Sequence, residues 1–196
     1  IPGHNVEGVT LSDIRIRFIG GGPHRADDEI VPEYADEYPE ATMFGGLPSY
    51  GLYARHVAGL TLSNVQLFCE ENYWVLQPSK EGKVRWRVDG GMPEPAALSA
   101  PGHAVVCDDV TGLAIDDLKA QASPDGVSVV RLVNVRDAAV RNSTAPASTA
   151  VFLELAGIHT SGIALTGNDF SRAQAGVKLG PDVPSVATKS AGNIEP

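Results

Sequence analysis

Cysteine is scarce: the 196 residues hold two, Cys69 and Cys107. They lie in apolar, strand-like runs without C-x-x-C spacing, so neither a zinc site nor a redox motif is signalled. A mutual disulfide and two buried thiols both remain open, and cysteine leaves the compartment undetermined. Basic residues are also few, 15 Lys and Arg against 24 Asp and Glu, for a net charge of -9. Phosphate backbones are held by basic faces, which excludes nucleic acid as a partner. No apolar run approaches the roughly 20 residues that span a bilayer; the stretch Ala150 to Leu155 is interrupted by Glu154, so no membrane partner is expected. There is no Gly-x-Ser-x-Gly elbow and no Cys-His-Asn pattern to carry a nucleophilic hydrolase. His4, His24, His103 and His159 lack the close pairing of a metal site, so neither a metal nor a cofactor is assigned. The chain opens at Ile1 without the charged and apolar regions of a secretion signal, which reads as a processed start or a cut through a longer polypeptide.

What is present is a repeated phrase, within a hydrophobic content of 43% that suffices for the core of one domain spanning 1–196. Asn5-Val6-Glu7-Gly8-Val9-Thr10-Leu11-Ser12-Asp13-Ile14 matches His56-Val57-Ala58-Gly59-Leu60-Thr61-Leu62-Ser63-Asn64-Val65 nearly position for position. Asp109 to Leu118 is a third copy, Asn134 to Ser143 a degenerate fourth, and Gly162 to Asn168 a shifted fifth. Apolar and polar residues alternate in each copy, as at Val9, Leu11, Ile14 and Ile16, which is strand periodicity. The glycine suits a tight corner. The Asp or Asn at 13, 64, 117 and 142 suits a bend with left-handed backbone, and stacked Asn side chains can hydrogen-bond in ladders. A second strand precedes most copies, at Gly51 to Arg55, Ala104 to Cys107, Val127 to Leu132 and Val151 to Leu155.

The valine of the phrase recurs after 25 residues from Val110 to Val135, and after 23 if Ile158 is its next counterpart. The earlier intervals, 51 and 53 residues, hold long excursions: Gly20 to Tyr50, rich in Pro, Gly and acid, and Tyr73 to His103, with Pro78, Pro93, Pro95 and Pro101. Within the second, Tyr73 to Leu76 and Lys83 to Val88 flank a turn and read as a small hairpin. The expected fold is all-β: a right-handed, single-stranded parallel β-helix, a solenoid with two long loop excursions that gather on one face. A β-sandwich also offers short, evenly spaced strands, but its strands have no reason to repeat a corner Gly and a bend Asn in fixed phase.

The phrase Asn5 to Ile16, with Val31-Pro32-Glu33, Tyr38-Pro39-Glu40-Ala41-Thr42-Met43-Phe44-Gly45 and Leu47-Pro48-Ser49-Tyr50-Gly51-Leu52-Tyr53-Ala54-Arg55-His56, resembles the C-terminal half of bacterial family 28 glycoside hydrolases, the polygalacturonase-like pectin-degrading enzymes. The resemblance covers Ile1 to about Leu67, returns at Val105 to Leu118, and is weak elsewhere. It implies a parallel β-helix, a poly- or oligosaccharide partner, a secreted or periplasmic location, and inverting hydrolysis by paired carboxylates. The family's Asn-Thr-Asp, Asp-Asp, Gly-His-Gly and Arg-Ile-Lys motifs are missing as a set: Gly102-His103-Ala104 lacks the second Gly, and Arg15-Ile16-Arg17 falls inside the repeated phrase. The expectation is that Ile1 lies downstream of the catalytic motifs. Open strand edges at the first coil then predict self-association through an uncapped end.

No catalytic residue is assigned in the first instance. A site of its own would be built from Asp108, Asp109 and His103. Candidate saccharide contacts are Tyr38, Glu40, Tyr50, Tyr53, Arg55 and His56, with aromatic faces against pyranose rings and Arg55 on a uronate carboxylate. The competing reading is strand packing, since aromatic and β-branched residues suit such surfaces anyway. The acids Asp27, Asp28, Glu29, Glu33, Asp36, Glu37 and Glu40 could bind calcium or supply a general acid, or form a solvated loop. Arg85-Trp86-Arg87 offers an anionic-sugar contact, or a hairpin with Trp86 packed inward.

Overall fold

A computed structural model describes residues 1–18, 25–38, 40, 43–69, 102–123 and 127–196. The proposed hairpin, Arg85-Trp86-Arg87 and most of the second excursion lie outside the described residues. The fold is all-β, with ten strands and no helix among the described residues. The strands are β1 (Val6–Phe18), β2 (Ser49–Cys69), β3 (His103–Asp116), β4 (Lys119–Ala120), β5 (Val130–Val133), β6 (Arg136–Arg141), β7 (Thr149–Ala156), β8 (Ser161–Thr166), β9 (Ala173–Leu179) and β10 (Thr188–Ala191). The pairing of named strands is parallel throughout, in a curled sheet that joins β10, β8, β6, β3, β5, β7 and β9, with β2 carrying β1, β3 and β4.

The register follows the repeated phrase. Val6 faces Val57 and Val57 faces Val110, so the first three copies lie directly on one another. Thr111 faces Arg136 and Arg136 faces Ser161, which brings the fourth and fifth copies into the same phase. A correction follows for Ile158. It is 69% exposed, whereas Val135 is fully buried. The pairing of Arg136 with Ser161 gives the place beside Val135 to Thr160, which is buried. The chain between β7 and β8 therefore adds residues at a turn, and Ile158 rides on it instead of entering the core. The fifth copy is in register, not shifted.

Bends fall in columns because the same backbone conformation recurs at each level. Asp13, Asn64, Asp117 and Asn142 have φ of 55°, 51°, 54° and 51°, the left-handed region expected of them, and Gly167 and Gly192 continue the column. Gly8, Gly59, Gly112 and Gly162 form a second column at φ of 66° to 79°, with Asp137 in its fourth place. A Cβ at Gly112 would meet nothing closer than 3.7 Å, so backbone conformation, not space, selects glycine there. A third column is His56, Asp109, Asn134 and Gly157, at 54°, 52°, 52° and 84°.

Between bends, alternate residues turn inward and stack on their own counterparts. Leu62, Ile115, Val140 and Leu165 form one such file, and Leu60, Leu113, Ala138 and Ile163 another, all buried. Phe152 and Phe170 pack together in the core with ring centroids 5.2 Å apart. One file is polar. Ser143 Oγ accepts from the Leu118 amide at 3.2 Å, Asn168 Oδ1 accepts from the Ser143 amide at 3.0 Å, and Asn193 Oδ1 accepts from the Asn168 amide at 2.9 Å. Asn168 is almost wholly buried, and its amide group also donates to the Val140 carbonyl at 2.9 Å. This ladder satisfies backbone groups that a corner leaves unpaired, which is what makes a buried amide tolerable. Cys107 is free and fully buried in the same core; burial, then the neighbouring Asp108, pushes its thiol up to about 12.

Candidate functional site

The outer face of β2, β3 and β5 is set by strand alternation. Leu52, Val105 and Val130 belong to the core side. Their neighbours Tyr53, Val106 and Arg131 form an aligned outer row, and Arg55, Asp108 and Val133 form the next. Residues 26–33 of the first excursion lie against these rows and bring acids to them.

Two of those acids are gripped alike. Asp27 lies against the Arg131 guanidinium, and its Oδ1 is 2.9 Å from His103 Nε2. Glu33 lies 3.2 Å from Arg55 Nη2, and its Oε1 is 3.0 Å from His56 Nε2. Each carboxylate thus receives one guanidinium and one imidazole. Arg55 also donates to the Val31 and Pro32 carbonyls, at 3.2 Å for the second, which ties the backbone before Glu33 to β2. Burial alone would raise the Asp27 carboxyl, but the His103 hydrogen bond and the charges of His103 and Arg131 hold it below the usual range. Glu33 is lowered chiefly by its bond to His56, with help from Arg55.

Asp108 behaves in the opposite way. Burial raises its carboxyl despite the nearby Arg55 charge and a 3.4 Å bond from Tyr53 Oη. Burial and that carboxylate together push the Tyr53 hydroxyl up to about 12. Asp27, Asp28, Tyr53, Asp108 and Arg131 line one open pocket of about 170 Å³. Val31, Glu33, Phe44, Tyr53, Arg55 and His56 line a second, of about 320 Å³, with Val31 and Tyr53 shared between them. The larger is lined by apolar and aromatic residues together with charged ones, the mixed lining typical of small-ligand sites.

The residues read from the sequence divide accordingly. Tyr53, Arg55 and His56 come together in the larger pocket, and Asp108 lies in the smaller. Asp109 sits behind His56, its Oδ2 2.7 Å from Nδ1. His103 is 1% exposed and reaches the smaller pocket only through Asp27. Tyr50 instead faces the core: its hydroxyl donates to the Leu67 or Gln121 carbonyl, at 3.2 and 2.9 Å, and its ring stands edge-on to Phe18. Tyr38 and Glu40 are exposed on the excursion and line neither pocket. Arg131 and Ser128 were not singled out by sequence reasoning. A signal existed, since a 25-residue offset carries Val106 to Arg131 beside the Asp108 row.

Comparison with family models, with curated proteins and with solved structures finds no match to this chain.

Proposed function

We propose that the chain is a right-handed parallel β-helix of polygalacturonase-like, carbohydrate-active type, and that the paired pockets beneath the first excursion hold a pectic or related saccharide. The observation that carries this reading is a pair of pockets that share Val31 and Tyr53, one lined by Asp27, Asp28 and Asp108, the other offering Glu33, Arg55 and His56 beside Phe44 and Tyr53. Such a lining gives a pyranose ring an apolar face and polar partners for its hydroxyls. By this reading the partner is an extracellular poly- or oligosaccharide, and the chain is secreted or periplasmic. The exposed β1 edge is expected to drive self-association in the isolated chain; a monodisperse monomer in light scattering would count against that.

Binding without turnover is the primary form of the proposal. A second, hydrolytic form is favoured by one observation: within one pocket Asp108 is pushed up and Asp27 is pulled down. Carboxylates whose environments drive them apart can divide acid and base roles, with Asp108 as proton donor and Asp27 as the ionised partner. Reducing-end release from polygalacturonate, rhamnogalacturonan and neutral glycans, with binding measured on the same samples, tests both forms. Binding alone supports the module, turnover abolished by Asp108→Asn supports the hydrolase, and neither with a folded sample sinks the saccharide reading.

A further inference from the structure

The guanidiniums and the imidazole that line the two pockets each face an acid of the same chain. Arg131 is paired with Asp27 and Arg55 with Glu33, while His56 lies between Glu33 and Asp109. The strands supply Arg55 and Arg131, from β2 and β5, and the excursion supplies the two carboxylates that neutralise them. Arg55 also donates to the Val31 and Pro32 carbonyls, and its guanidinium lies 5.8 Å from the centre of the Tyr53 ring. The side chains of Arg55 and Arg131 are 12% and 14% exposed, and those of Glu33 and Asp27 are 35% and 39% exposed. In each pair the carboxylate is thus the more open partner.

The charge left over is acidic. Beyond the pair of Asp27 and Arg131, the smaller pocket is lined by Asp28, Glu29 and Asp108. Glu29 lies 3.8 Å from Arg25, Asp28 is exposed, and Asp108 accepts from the uncharged Tyr53 hydroxyl at 3.4 Å. A ligand carboxylate entering here must displace Glu33 or Asp27 from its guanidinium and then lie among like charges, an arrangement that discriminates by repulsion. An uncharged sugar meets no such obstacle. Its hydroxyls donate to carboxylate oxygens, which only accept, and its ring has Tyr53 and Phe44 to lie against.

We propose that the paired pockets select an uncharged saccharide and reject a uronate, and that Asp27 and Glu33 set this choice by occupying Arg131 and Arg55. The inference rests on the saccharide reading and narrows it: Arg55, expected from the sequence to hold a uronate carboxylate, holds Glu33 instead.

Free and fully methyl-esterified oligogalacturonates of equal length test this, because esterification removes the charge and keeps the sugar and its linkage. Binding of each to the full chain is measured by calorimetry near neutral pH, with neutral galacto-oligosaccharides as a third ligand. At low ionic strength the ester and the neutral sugar are expected to bind about tenfold or more tighter than the free acid, with the gap narrowing in high salt. Asp27→Asn with Glu33→Gln frees both guanidiniums and should strengthen binding of the free acid until the preference is lost, with thermal unfolding reporting that the variant is folded. The wild-type comparison decides whether or not that variant folds. Free acid bound by the wild type as tightly as the ester overturns the inference and leaves the saccharide reading standing. A preference indifferent to salt, or unchanged in the folded double variant, also overturns it. Binding of none of the three ligands sinks the saccharide reading and the inference with it.

Discussion

The described residues from 103 onward and those of the first excursion are two solutions to the same task. In the first, each level rests on a near copy of itself, and side chains of one chemistry stack in files: aliphatic inside, Asn or Gly at bends, an amide ladder at a corner. In the second, residues 25–38 contain no strand, have almost no buried apolar residue besides Val31, and are attached by ion pairs and hydrogen bonds. Repetition secures the first region because every contact is made again one level on. The second depends on a few unlike groups, and can therefore respond to conditions that leave the sheet untouched.

The sharpest way to break the comparison is within the core. Phe152→Ala removes a fully buried ring packed at a tilt against Phe170 and should cost about 3–5 kcal/mol in denaturant unfolding, whereas Tyr38→Ala, at 79% exposure on the excursion, should stay within about 0.5 kcal/mol. Equal effects would mean that the two regions are not held differently. Next is the polar file. Asn168→Ala leaves the Ser143 amide without its acceptor and should cost about 1–3 kcal/mol by the same assay, more than alanine at the exposed bend residue Asn142.

The pH dependence should separate the regions by sign. Asp27 and Glu33 are held below their ordinary values, so their contribution is present above the unfolded carboxylate values, about 3.9 and 4.3, and is lost as pH falls through the lowered ones. Asp27→Asn with Glu33→Gln should flatten that acid limb. Asp108 is raised, so ionising it opposes folding, and stability falls as pH rises through its folded value. Asp108→Asn should therefore gain stability at pH 7 relative to wild type and lose that gain near pH 3, as followed by thermal unfolding. A gain of equal size at both would refute the raised carboxyl. The smallest effect is expected at the bends, where Gly112→Asn keeps a side chain tolerant of left-handed φ and should cost less than Gly112→Val.

Much of this was legible in the residues. The repeated phrase anticipated the register from Val6 through Val57 to Val110, and the bends at Asp13, Asn64, Asp117 and Asn142 were read from residue type alone. Ile158 was misread because hydrophobicity marked it as a core position, while only the pairing of Arg136 with Ser161 shows that it is itself one of the residues added at the turn. The candidate site was legible where it lies on a strand, at Tyr53, Arg55 and His56, and not where it needs the excursion. Nothing local tells that Asp27 meets His103, 76 residues away, while Asp36 remains exposed.

By itself the sequence determined the parallel repeat, the alternation that sorts inner from outer side chains, and the bends, because each follows from nearest neighbours and backbone preference. Only the tertiary structure decided which excursion acids meet Arg55 and Arg131, which tyrosine faces the core, and which carboxyl is raised. Those outcomes depend on how a non-repeating segment lies across the outer face, and on burial and partners that no spacing along the chain encodes.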